Sequence, residues 1–294
     1  MARLSGTLPA LNGSALTNLS SDVTISATVP SSPSVGDLWF NSASNTVSAI
    51  FTKCLGVYNG VNWDQLSNIL FEPTGGTQTT YSGYKVATFT SSGTFTPNIA
   101  GTIDVLVIGG GGGGGAGRGG GGGAGGMVYR TGLNATAQAY TITIGSGGAG
   151  ATSHDNHAAN GADTVAFSVT AKGGGNGGSG VTGTTSISIG ETGGSGGGTT
   201  HGADGAIASN QGTFSGWTSK GNAGGNGNSS DDESAGGGGG AGAAGQAGDA
   251  SGNGGDGGVG FQNDYQTGSN QYYAGGGGGG FGADTGATSG AGGN

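Results

Sequence analysis

The sequence predicts a mostly β chain: a small β module, then an antiparallel β-sandwich leading into a bundle of polyglycine II-type extended helices with loops. Three observations carry that prediction. Glycine makes up 78 of the 294 residues, about four times its ordinary share of ~7%. The glycines are sparse up to residue 100 and come in runs from Gly109 onward. Between residues 22 and 171 the apolar residues recur at a period of two, as they do in strands, and no helical period survives the Gly and Pro interruptions.

Taken in order, residues 1–24 contain LSGTLPALNGSALTNL, short apolar pairs broken by Gly6, Pro9 and Gly13, which predicts an extended attachment segment. Residues 25–72 form a small β module. Just ahead of and within it, DVTISATV places Val23, Ile25, Ala27 and Val29 on one face of a half-buried strand. DLWF, TVSAIF and NWDQL follow as strands, with turns at NSASN and YNG. A module of this size is too small to bury much surface alone.

Residues 81–172 predict the sandwich. Tyr84, Val86, Phe89 and Phe95 alternate around a Ser-Ser-Gly turn, and IDVLVIGG follows. MVYRTGLNATAQAYTITIG supplies a further pair, with Tyr140, Ile142 and Ile144 on one face; Val165, Phe167 and Val169 share the same period. Residues 173–294 are the bundle, with mixed loops of unequal length between glycine runs, so no fixed repeat period exists.

Glycine loses the most entropy on ordering, and isolated glycine runs therefore stay loose. A threefold extended helix has three residues per turn, a rise of about 3.1 Å and no internal hydrogen bonds. Runs without side chains can approach closely and pair every N–H and C=O across strands. Each such bond contributes about 1 kcal/mol net, against an ordering cost of about 1–2 kcal/mol per residue. One run does not overcome that cost, whereas many runs packed on a preformed β frame can.

The composition excludes several classes. Collagen needs glycine at every third position and abundant proline, and this chain has 5 prolines. With 8% charged residues and a net charge of −9, the surface repels phosphate backbones, so no nucleic-acid partner is expected. Cys54 is the single cysteine, which leaves no intrachain disulfide. No signal peptide and no 20-residue apolar span are legible, so synthesis in the cytoplasm without membrane insertion is expected.

The motif-like segments are weak. IDVLVIGGGGGGGAGRGG imitates a Rossmann turn but lacks the following helix, and no carboxylate falls between Asp104 and Asp155. No glycine run closes with GK[ST], and GGNGNSSDD and GGNGGSG put serine where the calcium repeat G-G-x-G-x-D-x-U-x needs aspartate. Asp231, Asp232 and Glu233 read as a solvated acidic loop, and His154 and His157 lack the third and fourth ligands that a metal site needs. No cofactor, metal or catalytic residue is expected, and the few carboxylates sit on glycine-flanked loops without a rigid frame.

The loops 151–160, 201–220, 228–234 and 261–273 hold the residue types suited to recognition. Rigid amphipathic rings and adaptable amides dominate such surfaces. The candidates are His154, Asp155, Asn156, His157, Phe214, Trp217, Tyr265, Asn270, Tyr272 and Tyr273. Each ring has a competing role as an anchor between its loop and the bundle.

A resemblance adds to this reading. LSGTLPALNGSALTNL resembles segments of phage tail fibres, and PSVGDLWFNSASNTVSAIF with YNGVNWDQL resembles a second fibre module. ATFTSSGTFTP, IDVLVIGGGGGGG and TITIGSGGAG are similar to the glycine-rich domain of phage tail proteins. The later run-and-loop pattern is similar to distal adhesins of T-even-like phages. One departure is the close: that family often ends on an apolar strand, where this chain reads GATSGAGGN. The resemblance implies a virion protein, a non-enzymatic distal tail fibre or adhesin. Its implied partners are a host surface glycan or outer-membrane protein and the other fibre or tail proteins, and it implies a homotrimer. A receptor-independent fibre or decoration protein and a glycan-cleaving tailspike are the alternatives.

Overall fold

The computed structural model describes residues 2–4, 23–48, 50, 54–66, 71–180, 187–200, 207–228, 233–282 and 286–294. Its strands are β1 (Ala2–Leu4), β2 (Val23–Ser26), β3 (Leu38–Asn41), β4 (Leu55–Tyr58), β5 (Trp63–Leu66), β6 (Thr77–Tyr81), β7 (Tyr84–Thr88) and β8 (Gly93–Phe95). They continue with β9 (Gly101–Ile108), β10 (Met127–Ala135), β11 (Tyr140–Ile142), β12 (Thr164–Ala166), β13 (Val169–Ala171), β14 (Thr218–Lys220), β15 (Phe261–Asn263) and β16 (Gln271–Tyr273). The chain is mostly β, as expected, and no α-helix occurs among the described residues. It divides into two compact units, residues 7–72 and residues 1–6 with 73–294. Most of the expected attachment segment, residues 5–22, lies outside the described residues.

In the smaller unit, β2 runs parallel to β3, and β3, β4 and β5 form an antiparallel meander. Trp39, Ile50 and Trp63 are its core, with Val47, Cys54 and Tyr58 packed around them. The two indoles meet edge to face at 5.5 Å between ring centroids, a geometry that the ring quadrupoles favour. Trp39 Nε1 donates to the Ser26 carbonyl at 3.2 Å, which satisfies its one polar group.

The NSASN turn is held from within. Asn41 is fully buried; its Nδ2 donates to the carbonyls of Ile50 and Asn45, and its Oδ1 accepts the Ala43 N–H. Two expectations fail here. Val23 and Ile25 of β2 are 43% and 70% exposed rather than half-buried, because β2 lies at the sheet edge. TVSAIF does not form a strand over its described residues: Val47 and Ile50 bond each other across a tight turn whose Ser48 has φ +48.

The larger unit is built on a six-stranded sheet of order β14-β10-β9-β1-β7-β6. All of its pairs are antiparallel. The β9–β10 ladder shifts register between Arg130 and Leu133. At that bulge the buried Asp104 Oδ1 accepts the Gly132 N–H at 2.9 Å, with Gly132 at φ +70.

A second layer runs β8-β11 and β12-β13, bridged by reciprocal bonds between Thr143 and Val165. Phe95, Ile142, Ala166 and Val169 are buried, as are Val105 and Val107 of β9. The period read over Val165, Phe167 and Val169 is broken. Phe167 and Ser168 both have positive φ, +48 and +63, and form the two-residue hairpin turn between β12 and β13. Val165 consequently faces outward at 38% exposure while Thr164 and Ala166 face in. The Phe167 ring still packs, 4.9 Å from Tyr140 and 5.9 Å from Phe95.

Beyond the sheet, the glycine runs are neither strands nor α-helices, yet their backbone groups are paired in order. Gly109, Gly112 and Gly115 donate to the carbonyls of Gly126, Gly123 and Gly120. Gly174, Gly177 and Gly180 donate to Gly110, Gly113 and Ala116. The run 119–126 bonds to four further runs: Gly120 and Gly123 donate to Gly178 and Gly175, Gly121 and Ala124 donate to Gly236 and Gly239, Gly198 and Ser195 donate back to Gly121 and Ala124, and Gly277 and Gly280 donate to Gly122 and Gly119. Each partner run is met at every third residue. Where a small polar residue replaces glycine its hydroxyl joins in: Thr199 Oγ1 accepts the Gly227 N–H and Ser179 Oγ accepts the Ala116 N–H.

Asp163 and Lys172 tie the returning run to the exit of β13. Lys172 Nζ lies 2.8 Å from Asp163 Oδ2, and Asp163 Oδ1 accepts the Gly173 N–H. Partial burial alone would raise the Asp163 carboxyl, but the Lys172 hydrogen bond, the Gly173 N–H and the Lys172 charge outweigh it and hold the group below its ordinary 3.8. A depressed folded pKa gives stability that is present above the unfolded value and lost as pH falls through the folded one. The expected result is a decline in thermal stability below about pH 4 that Asp163→Asn flattens. A pH series of melting curves on the two proteins reads it; parallel curves would refute the assignment.

Candidate functional site

The pairing pattern gives each glycine run a direction. Residues 109–115 lead away from the sheet and 119–126 return to β10; 145–151 lead out and 159–162 return. The same alternation continues through 173–180, 194–200, 221–228 and 243–248 outward and 235–241, 254–260 and 290–293 inward. The larger unit therefore has two ends, one at the sheet and one at the outer turns.

The outer end includes the turn at Gly117 and Arg118, both with positive φ (+61 and +58), loop 151–158 and the turn at Asp249. Gly180, Thr200, Asn228 and Gly282 reach the same end; the segments after them, 181–186, 201–206, 229–232 and 283–285, lie outside the described residues, Asp231 and Asp232 among them.

His154, Asp155, Asn156 and His157 are all exposed on loop 151–158. His154 Cβ packs over Gly117, where an added Cβ would meet it at 2.7 Å. His154 Nε2 lies 3.4 Å from Asp155 Oδ2, with the side chains 50% and 78% exposed. Asn156 is oriented by its N–H to the Ser153 carbonyl. Beside them Arg118 pairs with Glu233 through Nη1 and Oε2, joining the first outer turn to the end of another loop. Asp249 caps its own turn through the N–H groups of Ser251 and Asn253. The Asn253 side-chain and backbone bonds hold the Asp249 carboxyl below its ordinary value. Among the described residues no three His, Cys, Asp or Glu come together as metal ligands.

The remaining candidates lie at the sheet end. Phe214 and Trp217 are half-buried in one turn, the Trp217 N–H donating to the Phe214 carbonyl. Arg130 of β10 sits 6.0 Å from the Trp217 ring. Asn270 and Tyr272 are exposed on the β15–β16 hairpin.

Tyr265 is different. It is 7% exposed in a core with Leu106, Met127 and Ala241, and its hydroxyl lies 2.6 Å from Thr131 Oγ1. Burial pushes its phenol pKa up, so the ring is a neutral core group. Tyr273 packs against the same core and donates to Gln266 Oε1. The hairpin they carry is fastened further by Tyr81, whose hydroxyl donates to the Asp264 and Tyr265 carbonyls, and by stacking of Phe261 on Tyr129 at 5.8 Å. Tyr265 and Tyr273 are thus anchors, and the ten candidates fall on opposite ends of the unit rather than on one surface. Sequence reading missed Arg118 and Glu233, 115 residues apart; the one signal was an arginine isolated among glycines.

The glycine-rich domain family matches residues 90–294. The chain belongs to that family. No curated protein matches it, and no solved structure does.

Proposed function

We propose that this chain is a phage virion protein, a non-enzymatic distal tail fibre or adhesin that presents outer-end loops to a host surface glycan or outer-membrane protein. The observation that carries this reading is the period of three in the hydrogen bonds between runs. It is the period of a polyglycine II helix, and the runs are read as a packed bundle of such helices. A run of eight residues then spans about 22 Å, a rigid spacer between the sheet and the outer loops.

Rigid presentation lowers the ordering cost of binding, and loops without a structural duty can change freely. Loop 151–158 meets that condition best, with four exposed polar side chains in succession. Membership of the glycine-rich domain family and the resemblance of the first 72 residues to fibre modules support the same reading. Assembly as a trimer and attachment to other fibre or tail proteins are assigned to the N-terminal part.

The test is binding of the labelled full chain to Gram-negative cells. Replacing residues 152–157 by alternating Gly and Ser should reduce binding by about tenfold, equivalent to ~1.4 kcal/mol, with the melting temperature unchanged. Tyr272→Ser at the sheet end should leave binding intact. Absence of binding by the parent chain favours a receptor-independent structural role, equal binding by all three proteins moves the receptor contact away from loop 151–158, and release of oligosaccharide from purified host polysaccharide would favour a tailspike.

A further inference from the structure

Run 235–241 shows how the glycine runs pack when fully surrounded. It bonds to the six runs 119–126, 194–200, 221–228, 243–248, 254–260 and 274–280, and every N–H from Ala235 to Ala241 donates to a carbonyl. Run 119–126 bonds to five runs, 109–115, 173–180, 194–200, 235–241 and 274–280. One series is left over. The N–H groups of Gly119, Gly122 and Gly125 have no acceptor among the described residues, although all three glycines are buried. Residues three apart share a side of a threefold helix, so these donors form one row with a spacing of about 9.3 Å.

The row is the floor of a groove between runs 109–115 and 274–280. A Cβ on Gly114 would stand 4.0 Å from the Gly122 nitrogen, and a Cβ on Gly277 would stand 3.2 Å from it. Gly111 and Gly114 are exposed, so the groove opens to solvent along the first run.

The flanks carry the complementary groups. The N–H groups of Gly112 and Gly115 bind run 119–126, as do those of Gly277 and Gly280. Successive residues of a threefold helix turn by about 120°, which sets each such N–H series between two carbonyl series. Away from the groove, the Gly113 and Gly277 carbonyls accept from Gly177 and Gly238. On the groove side, the carbonyls of Gly112, Gly115, Gly275 and Gly278 have no donor among the described residues.

We infer that the groove is a docking site for one more extended threefold segment, supplied by another polypeptide with glycine at every third residue. Buried backbone donors need acceptors, and the groove offers a row of donors on its floor and a row of acceptors on each flank. A main chain in this conformation has the matching rows, carbonyls toward the floor and N–H groups toward both flanks. A hydrocarbon supplies neither. The residue over the floor must be glycine, because inside the bundle a Cβ on Gly121 would meet a carbonyl oxygen at 2.0 Å. The other two residues of each three turn toward solvent and accept side chains. The site uses main-chain groups along the runs and none of the outer loops, so its failure would leave the receptor reading untouched.

The experiment is amide hydrogen exchange, read by NMR, on the full chain with and without a capped peptide of three Gly-Ser-Asn repeats. Saturating peptide is expected to slow exchange at Gly119, Gly122 and Gly125 at least tenfold, and a capped peptide of three Ala-Ser-Asn repeats is expected to leave them unchanged. Gly114→Leu, whose side chain would project into the groove from an open position, should weaken the peptide at least tenfold. Gly111→Leu is the second variant should the first disturb the outer turn. No slowing, equal slowing by both peptides, or undiminished binding by both variants overturns the assignment.

Discussion

Gly121→Ala should unfold the larger unit at a temperature on the order of 10 °C below the parent, while Gly111→Ala should melt at or slightly above it. Both residues lie in glycine runs, and neither has φ in the left-handed region, so backbone strain does not distinguish them. Space does. A Cβ on Gly121 would stand 2.0 Å from the Gly277 carbonyl oxygen and 2.7 Å from the Gly238 nitrogen. Those atoms belong to two other runs and cannot rotate away as a side chain would. Relieving the clash separates runs whose contacts include Gly121 to Gly236 and Gly198 to Gly121. Overpacking costs about 1–3 kcal/mol, and each lost bond adds about 1 kcal/mol. A total of about 4 kcal/mol corresponds to that melting shift in a unit of this size.

At Gly111 the nearest backbone atom to an added Cβ is the Gly123 carbonyl oxygen at 4.0 Å, an ordinary contact. Alanine there reduces the freedom of the unfolded chain and stabilises by about 0.4–1 kcal/mol. Gly114, three residues on, is also open, with its closest contact at 3.9 Å, whereas Gly110, Gly112, Gly113 and Gly115 are all closed at 1.8–2.2 Å. An alanine scan of 110–115 followed by thermal melts should therefore show two tolerant positions three apart. A uniform loss across the scan would mean that the runs do not pack with threefold faces, and uniform tolerance would mean that they are loose linkers.

The second large effect concerns the smaller unit. Trp39→Ala should abolish its folding while the larger unit keeps its own transition. Trp39 is fully buried, and with Ile50 and Trp63 it makes up the buried centre of the core. Truncating a buried Trp costs about 3–5 kcal/mol, and a unit of this size has little stability to lose. The site is tight as well: a Cβ on Gly56 would lie 2.9 Å from Ile50 Cδ1, so the backbone of β4 already closes over the core. Hydrogen exchange should reach the unprotected rate across 55–58 and 63–66 and stay slow across 101–108 and 127–135. Retained protection in 55–66 would show that the indole is dispensable.

Particular residues show how far the sequence could be read. The β9 strand was legible because IDVLVI is apolar on both faces, and β9 is indeed buried on both. The NSASN turn was legible from its residue types, although the buried role of Asn41 was not, since it depends on the carbonyl of Ile50 arriving from a later turn. The hairpin at Phe167 was misread because a large aromatic ring at positive φ runs against local preference; packing against Phe95 and Tyr140 decides it. Among the candidate residues, His154 to His157 were correctly expected on an exposed loop. Tyr265 and Tyr272 have equivalent settings in the sequence, yet one is core and the other surface, because the partners that bury Tyr265 come from Leu106, Met127 and Thr131, more than 130 positions away.

The sequence by itself determined that this chain is mostly β, that glycine is its main material and that mixed loops interrupt the glycine runs. Those properties follow from residue type and spacing, which act locally. Tertiary structure alone decided which glycine faces which run, that one in three positions of the first run is open, and that the candidate loops divide between two ends. Glycine has no side chain to encode a partner, so the identity of each neighbour is written only in the backbone hydrogen bonds that the folded chain brings together.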